Sequence, residues 1–101
     1  MNTKTFNAII KDQVNRSLDL LTVKAKEYTV VNEDRLTNFK TAAALQHKTT
    51  EQALSGMMAK HIVSIYDMIN SGQEYPIEVW DEKITDSINY LLLLSAVVKE
   101  E

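Results

Sequence analysis

WDEKITDSINYLLLLSAVV, residues 80–98, begins as a helix with one wet face and ends as a helix with none. At about 100° per residue, Trp80, Ile84, Ile88, Leu91 and Ser95 share one face, which is expected to pack on its own chain. Glu82, Asp86, Asn89 and Leu93 line up on roughly the opposite face, with Ala96 beyond them. After Tyr90 the four consecutive leucines, Leu91 to Leu94, point four different ways. A helix that is apolar all round is buried all round, and a domain of this size has little interior to bury it. Two solutions stand open: a second subunit covers the outer leucines, or the helix lies at the centre of the monomer. The expected fold is all-α, about four helices in an antiparallel bundle completed by oligomerisation, with one domain over residues 1–101.

Working back along the chain, Asn70–Gly72 is a helix stop, because glycine tolerates the left-handed conformation, and Pro76 is tolerated at the start of the next helix. The third helix carries Leu54, Met58, Ile62, Ile65 and Ile69 on one stripe. Its start is marked by Thr49 and Gln52 at capping-box spacing, with Glu51 near the positive end of the helix dipole. A second helix is predicted over residues 33–46, facing Leu36, Phe39 and Ala43 inward. A first helix is predicted over residues 5–26, with Phe6, Ile10, Val14, Leu18 and Leu21 as its apolar face. The third and fourth helices form a hairpin.

Composition narrows the class. Two glycines and one proline in 101 residues argue against an all-β chain with many tight turns. The absence of cysteine removes disulfides and thiolate metal sites. The longest nearly apolar run, Tyr90 to Val98, is too short to span a bilayer, and the N-terminus lacks the apolar core of a signal peptide. A soluble cytoplasmic protein is expected. The net charge of −3 disfavours a general nucleic-acid binder, which needs a basic footprint. The first fifty residues carry eight Lys/Arg against five Asp/Glu; the rest carry three against nine. Such asymmetry suits complementary surfaces, or a divalent cation on one side and phosphate on the other; chance surface charge also produces it.

Glu82 and Asp86 are four apart and project the same way. They repel unless a cation or basic side chain lies between them, and a hard cation such as Mg²⁺ prefers oxygen ligands. An acidic pair near a helix start also complements the dipole without any metal. Glu27 is a candidate third oxygen ligand from the first helix, or a surface partner of Lys24. Arg35 is suited to clamp phosphate and Asn38 to hold a ligand, though both also suit bracing a loop. His61, among Met57, Met58 and Ile65, reads as a core histidine or a site residue. Lys60 shares a stripe with Ser64 and Asp67 that is solvated or faces phosphate. There is no glycine-rich phosphate loop, HExxH motif or cysteine nucleophile. Metal-assisted hydrolysis is the chemistry these residues best permit.

Read together, KAKEY (24–28), RLTNFK (35–40), MMAKHIVSIYDMI (57–69) and WDEKITDSINYLLLL (80–94) resemble a group of small phage-encoded helical proteins. More distantly they resemble the MazG-like all-α nucleotide pyrophosphohydrolases. That resemblance implies dimers or tetramers of helical subunits, with Mg²⁺ held by carboxylates from two helices and a nucleoside triphosphate split to monophosphate and pyrophosphate. On it, Glu82 and Asp86 are the catalytic and metal-holding pair, with Glu27 as third ligand. Lys24, Arg35, Lys60 and His61 steady the phosphates; Asn38 and Asn89 orient base or sugar. The chain departs from the family pattern. It has no EExxE, and its counterpart of ExxD, Glu82 to Asp86, has one residue more between the acids. A degenerate nucleotide-binding protein therefore stays open. So does a non-catalytic module that binds a host factor or sequesters a nucleotide signal in the host cytoplasm.

Overall fold

The computed structural model describes residues 1–23 and 34–100. They form four α-helices: α1 (Thr3–Leu18), α2 (Thr37–Gln46), α3 (Thr50–Asn70) and α4 (Ile77–Lys99). A five-residue π-helical turn, Asp19–Val23, continues α1. The described residues contain no strand.

Local chemistry sets the boundaries. The Asn2 side chain caps α1 by accepting from the Thr5 N–H at 2.8 Å. The first helix was expected to run to residue 26, but its α-helical part ends at Leu18. There the Thr22 hydroxyl donates to the Leu18 carbonyl at 2.7 Å, a back-bond that competes with regular helix geometry. The second helix starts at Thr37, later than expected. The Asp34 carboxylate accepts from the Leu36 N–H at 2.9 Å, and the Asp34 carbonyl accepts from the Thr37 N–H at 3.1 Å. That side-chain turn holds the chain out of the helix for three residues. His47 ends α2 in the left-handed conformation, φ 54°, so that the Lys48 N–H reaches the Ala43 carbonyl at 2.9 Å. The reciprocal Thr49–Gln52 capping box is formed. Gly72 takes φ 72° after α3, and Pro76 stands immediately before α4.

α3 and α4 run antiparallel: His61 lies beside Asp86 and Tyr90, while Leu54, a turn or two earlier in α3, packs with Val97 further along α4. Leu36, Leu54 and Val97 form the core, against which Phe39, Tyr90, Leu93 and Leu94 pack. The Phe39 ring meets Tyr90 edge-on at 6.4 Å. Lys40 is held between Asp34 and Glu100, which ties the start of α2 to the end of α4. The Lys40 ammonium lowers the Asp34 carboxyl below its ordinary value, and the hydrogen bonds Lys40 donates to Asp34 and then to Glu100 raise its own. These groups are solvated, so the cluster fixes geometry more than it adds stability.

α1 takes a different path. It runs along α4 in the same sense, with Ile9 and Ile10 beside Ile77 and Trp80 at one end and Leu21 beside Leu92 and Leu93 at the other. The only buried residue of α1 is Ser17.

Two expected faces hold only in part. In α4 the Trp80–Ile84–Ile88–Ser95 stripe is half-buried but Leu91 is 54% exposed, and the fully buried residues are Thr85, Ser87, Asn89 and Val97. α4 receives α3 on its Tyr90–Val97 side and α1 on its Thr85 side, which leaves Leu91 outside both contacts. In α1 the apolar face is largely bare: Phe6, Ile10, Val14 and Leu18 are each about half exposed. In α3, Ile69 also stays exposed, and Met68 is buried instead.

Leu54 is fully buried at the meeting point of three elements. Leu54→Ala is expected to lower unfolding free energy by about 2–5 kcal/mol, against about 0.5–2 kcal/mol for Thr49→Ala at the α3 cap. Urea unfolding followed by circular dichroism measures both.

Candidate functional site

The contact between α1 and α4 is polar at its centre. Gln13 donates through Nε2 to the Ser17 hydroxyl at 3.2 Å and to the Thr85 hydroxyl at 2.9 Å. Its Oε1 accepts from Arg16 Nη1 at 3.2 Å. Arg16 in turn approaches Asp81 on α4 at 3.6 Å. Ser17 and Thr85 are small and nearly fully buried, so the two helices come close along this seam. The seam fixes where the flanking side chains fall.

Beside it lies a cleft of about 240 Å³, lined by Arg16, Asp19 and Leu20 from the α1 end and by Glu82, Thr85 and Asp86 from α4. Asp19 opens the π turn, a rare geometry often found at functional sites. Three carboxylates and one guanidinium from two elements therefore share one opening. On its α3 side, Asp86 Oδ2 stands 3.7 Å from His61 Nδ1, and the His61 ring lies against Tyr90, centroids 4.9 Å apart. The donor set is all oxygen, which suits a hard cation. Among the described residues, though, no three His, Asp or Glu side chains stand close enough together to hold a metal ion. The carboxylates line the cleft without converging on a point.

Asn89 follows Asp86 on the same stripe of α4. It is 5% exposed, and among the described residues neither its amide nitrogen nor its oxygen has a partner. Both ends of a buried amide left unpaired cost free energy. Beyond it the stripe enters a wider hollow of about 480 Å³, whose floor includes Leu21, Leu93 and Ala96 and whose rim includes Arg35, Lys99 and Glu100. The line Glu82–Asp86–Asn89–Leu93–Ala96 thus runs from a carboxylate cleft, through a buried amide, to an apolar hollow.

The other expected site residues are dispersed. Arg35 Nη2 donates to the Leu21 carbonyl at 2.8 Å, bracing the end of the π turn from the start of α2. Asn38 and Lys60 are exposed on α2 and α3. Lys24 and Glu27 lie outside the described residues. The structure adds Arg16 and Asp19, which the sequence reading passed over. A signal was present: Gln13 and Ser17 interrupt the middle of the apolar arc of α1, where a helix packed by leucines would carry none.

Compared with family models, with curated proteins and with solved structures, the chain matches none.

Asn89→Leu keeps side-chain volume and removes both unpaired polar atoms. It is expected to stabilise the protein by about 1–3 kcal/mol, read as a higher midpoint in thermal and urea unfolding. A lower midpoint would mean that a bound water pairs the amide.

Proposed function

We propose that this protein is a MazG-like nucleotide-binding protein, either a Mg²⁺-dependent nucleoside triphosphate pyrophosphohydrolase or a degenerate relative that binds without turnover, encoded by a phage and working in the host cytoplasm. The observation that carries this reading is the shared opening of Glu82 and Asp86 with Asp19 and Arg16. Two elements line one small space with oxygen ligands and a guanidinium.

Mg²⁺, when bound, would lower the pKa of an attacking water and polarise the phosphates. Glu82 and Asp86 are the residues that would hold it, with Asp19 as the described candidate for a third oxygen; Glu27 is the candidate that the resemblance supplies. Arg16 would orient phosphate oxygens from the opposite wall. His61, 3.7 Å from Asp86 on the α3 side, would steady the phosphates only from behind that carboxylate. A cleft of about 240 Å³ is smaller than typical small-molecule sites of about 300–1,000 Å³. It suits the phosphate–cation end of a nucleotide rather than the whole ligand. Among the described residues no helix is long and apolar enough to cross a membrane, which agrees with action on a dissolved ligand.

A second reading, a non-catalytic module that captures a host factor, is favoured by the bare apolar residues of α1. The two readings separate cleanly. Under the first, each dNTP with Mg²⁺ is tested for pyrophosphate release. At least one is expected to be split, with Glu82→Gln/Asp86→Asn lowering the rate about a hundredfold or more and a chelator abolishing it. Nucleotide binding without release, lost in the same double variant, identifies the degenerate form. Neither release nor binding in the wild type defeats the nucleotide reading. Under the second, Ile10→Asp abolishes partner capture and Glu82→Gln leaves it intact.

A further inference from the structure

α1 is held differently from the rest of the bundle. From residue 3 to residue 20 only Gln13 and Ser17 are shielded from solvent, and every other side chain is exposed. The other three helices share a core instead: Leu36 of the α2 turn, Leu54 of α3 and Val97 of α4 are all buried against one another. Regions with few buried apolar contacts open more readily than the core they lean on.

What α1 forfeits on leaving α4 is small. Gln13 gives up its bond to Thr85 at 2.9 Å, but its bonds to Ser17 and Arg16 lie within α1 and are kept. The Arg16–Asp81 pair, 3.6 Å apart with both side chains partly in water, adds little to the hold. Water replaces each lost polar partner once the seam opens, so only the modest net value of the bond is lost. Ile9 and Ile10 face Ile77, Trp80 and Ile84 across a groove of about 480 Å³, and do not interdigitate with them as a packed core would. Parting α3 from α4 would expose Leu54 and Val97 in full.

We propose that α1 is a detachable arm, which leaves α4 as one unit while α2, α3 and α4 stay folded, and closes again along the Gln13–Thr85 seam. Its far end is capped by its own Asn2. Its near end runs into the irregular turn at Asp19–Val23, where Arg35 holds the Leu21 carbonyl at 2.8 Å. That brace marks the fixed point, and the residues between Leu18 and Leu21 absorb the change of direction. The candidate cleft takes Arg16, Asp19 and Leu20 from the arm's end and Glu82, Thr85 and Asp86 from α4. It exists only while the arm is docked, so a ligand bound across it draws the arm shut. That last consequence rests on the site reading above; the opening itself does not, and its test uses no ligand.

Hydrogen exchange of the native protein, followed by mass spectrometry of peptides over a series of low urea concentrations, tests it. Amides of residues 7–18 are expected to exchange about a hundredfold or more faster than those of residues 57–68 in α3. They should share one urea dependence, shallower than that of α3, because they open together and expose less surface. Gln13→Ala is expected to speed exchange in α1 about tenfold and to leave α3 unchanged. Equal protection in α1 and α3 overturns the proposal. So does equal acceleration of both by Gln13→Ala, or exchange in α1 at the rate of an unstructured peptide, which would mean that the arm never docks. If Gln13→Ala loses its helical circular dichroism spectrum, single thiols decide, since the chain has no cysteine of its own. Ser17 and Ala53 are buried alike, at 2% and 3% exposure. A thiol reagent is expected to modify Ser17→Cys about a hundredfold or more faster than Ala53→Cys. Equal rates overturn the assignment.

Discussion

The place of α1 depends on one side chain. Gln13 uses its amide to join Ser17 and Thr85 and holds Arg16 with its oxygen. Replace that seam by leucines and the natural result is ridge-into-groove packing, with α1 burying Phe6, Ile10 and Val14 against α4. With the seam in place, α1 meets α4 along its polar line and leaves apolar flanks on either side. The carboxylate cleft and the apolar groove both follow from this choice. Each is a gap that remains when a helix is fastened along a narrow hydrogen-bonded line instead of a broad apolar stripe.

Hydrogen bonds of this kind add only about 0.5–1.5 kcal/mol each in net terms. They specify direction and register better than they supply energy. The energy of the described fold comes chiefly from the other half of the molecule, where Leu36, Leu54 and Val97 close the α2–α3–α4 core. α1 is therefore the element whose hold on its neighbours leaves most to be gained from a covering surface.

How much of this was legible in the sequence varies with the kind of signal. The four helices were readable because each carries apolar residues at steps of three and four, and because Thr49–Gln52, Gly72 and Pro76 punctuate them through local chemistry. The ends near residues 19–23 and 34–36 were misjudged. There the Thr22 hydroxyl and the Asp34 carboxylate bond to backbone groups, and such competition is invisible to periodicity. The inward face of α4 was misread for a further reason. Counting apolar residues gave weight to Trp80, Ile84 and Leu91, whereas the structure buries Thr85, Ser87 and Asn89, small or polar residues that let a neighbouring helix approach. At the candidate site, the Glu82–Asp86 pairing was legible as an i, i+4 spacing. Asp19 and Arg16 were not, because their relation to α4 is set across the Gln13–Thr85 bond, between residues far apart in the chain.

Asn89 bears most directly on whether the stripe along α4 is packing or a site. A core built only for stability has no use for an amide at 5% exposure with both ends unpaired among the described residues, since an apolar residue of similar volume would be better there. Its position matters as much as its cost. Upstream, Glu82 and Asp86 face the π turn at Asp19 and Leu20; downstream, Leu93 and Ala96 face it at Leu21. The amide lies between the two openings, on the stretch of α4 nearest the least regular backbone of the described chain. A buried amide with no partner among the described residues, beside an irregular turn and between two openings, carries a cost that apolar packing alone would not impose.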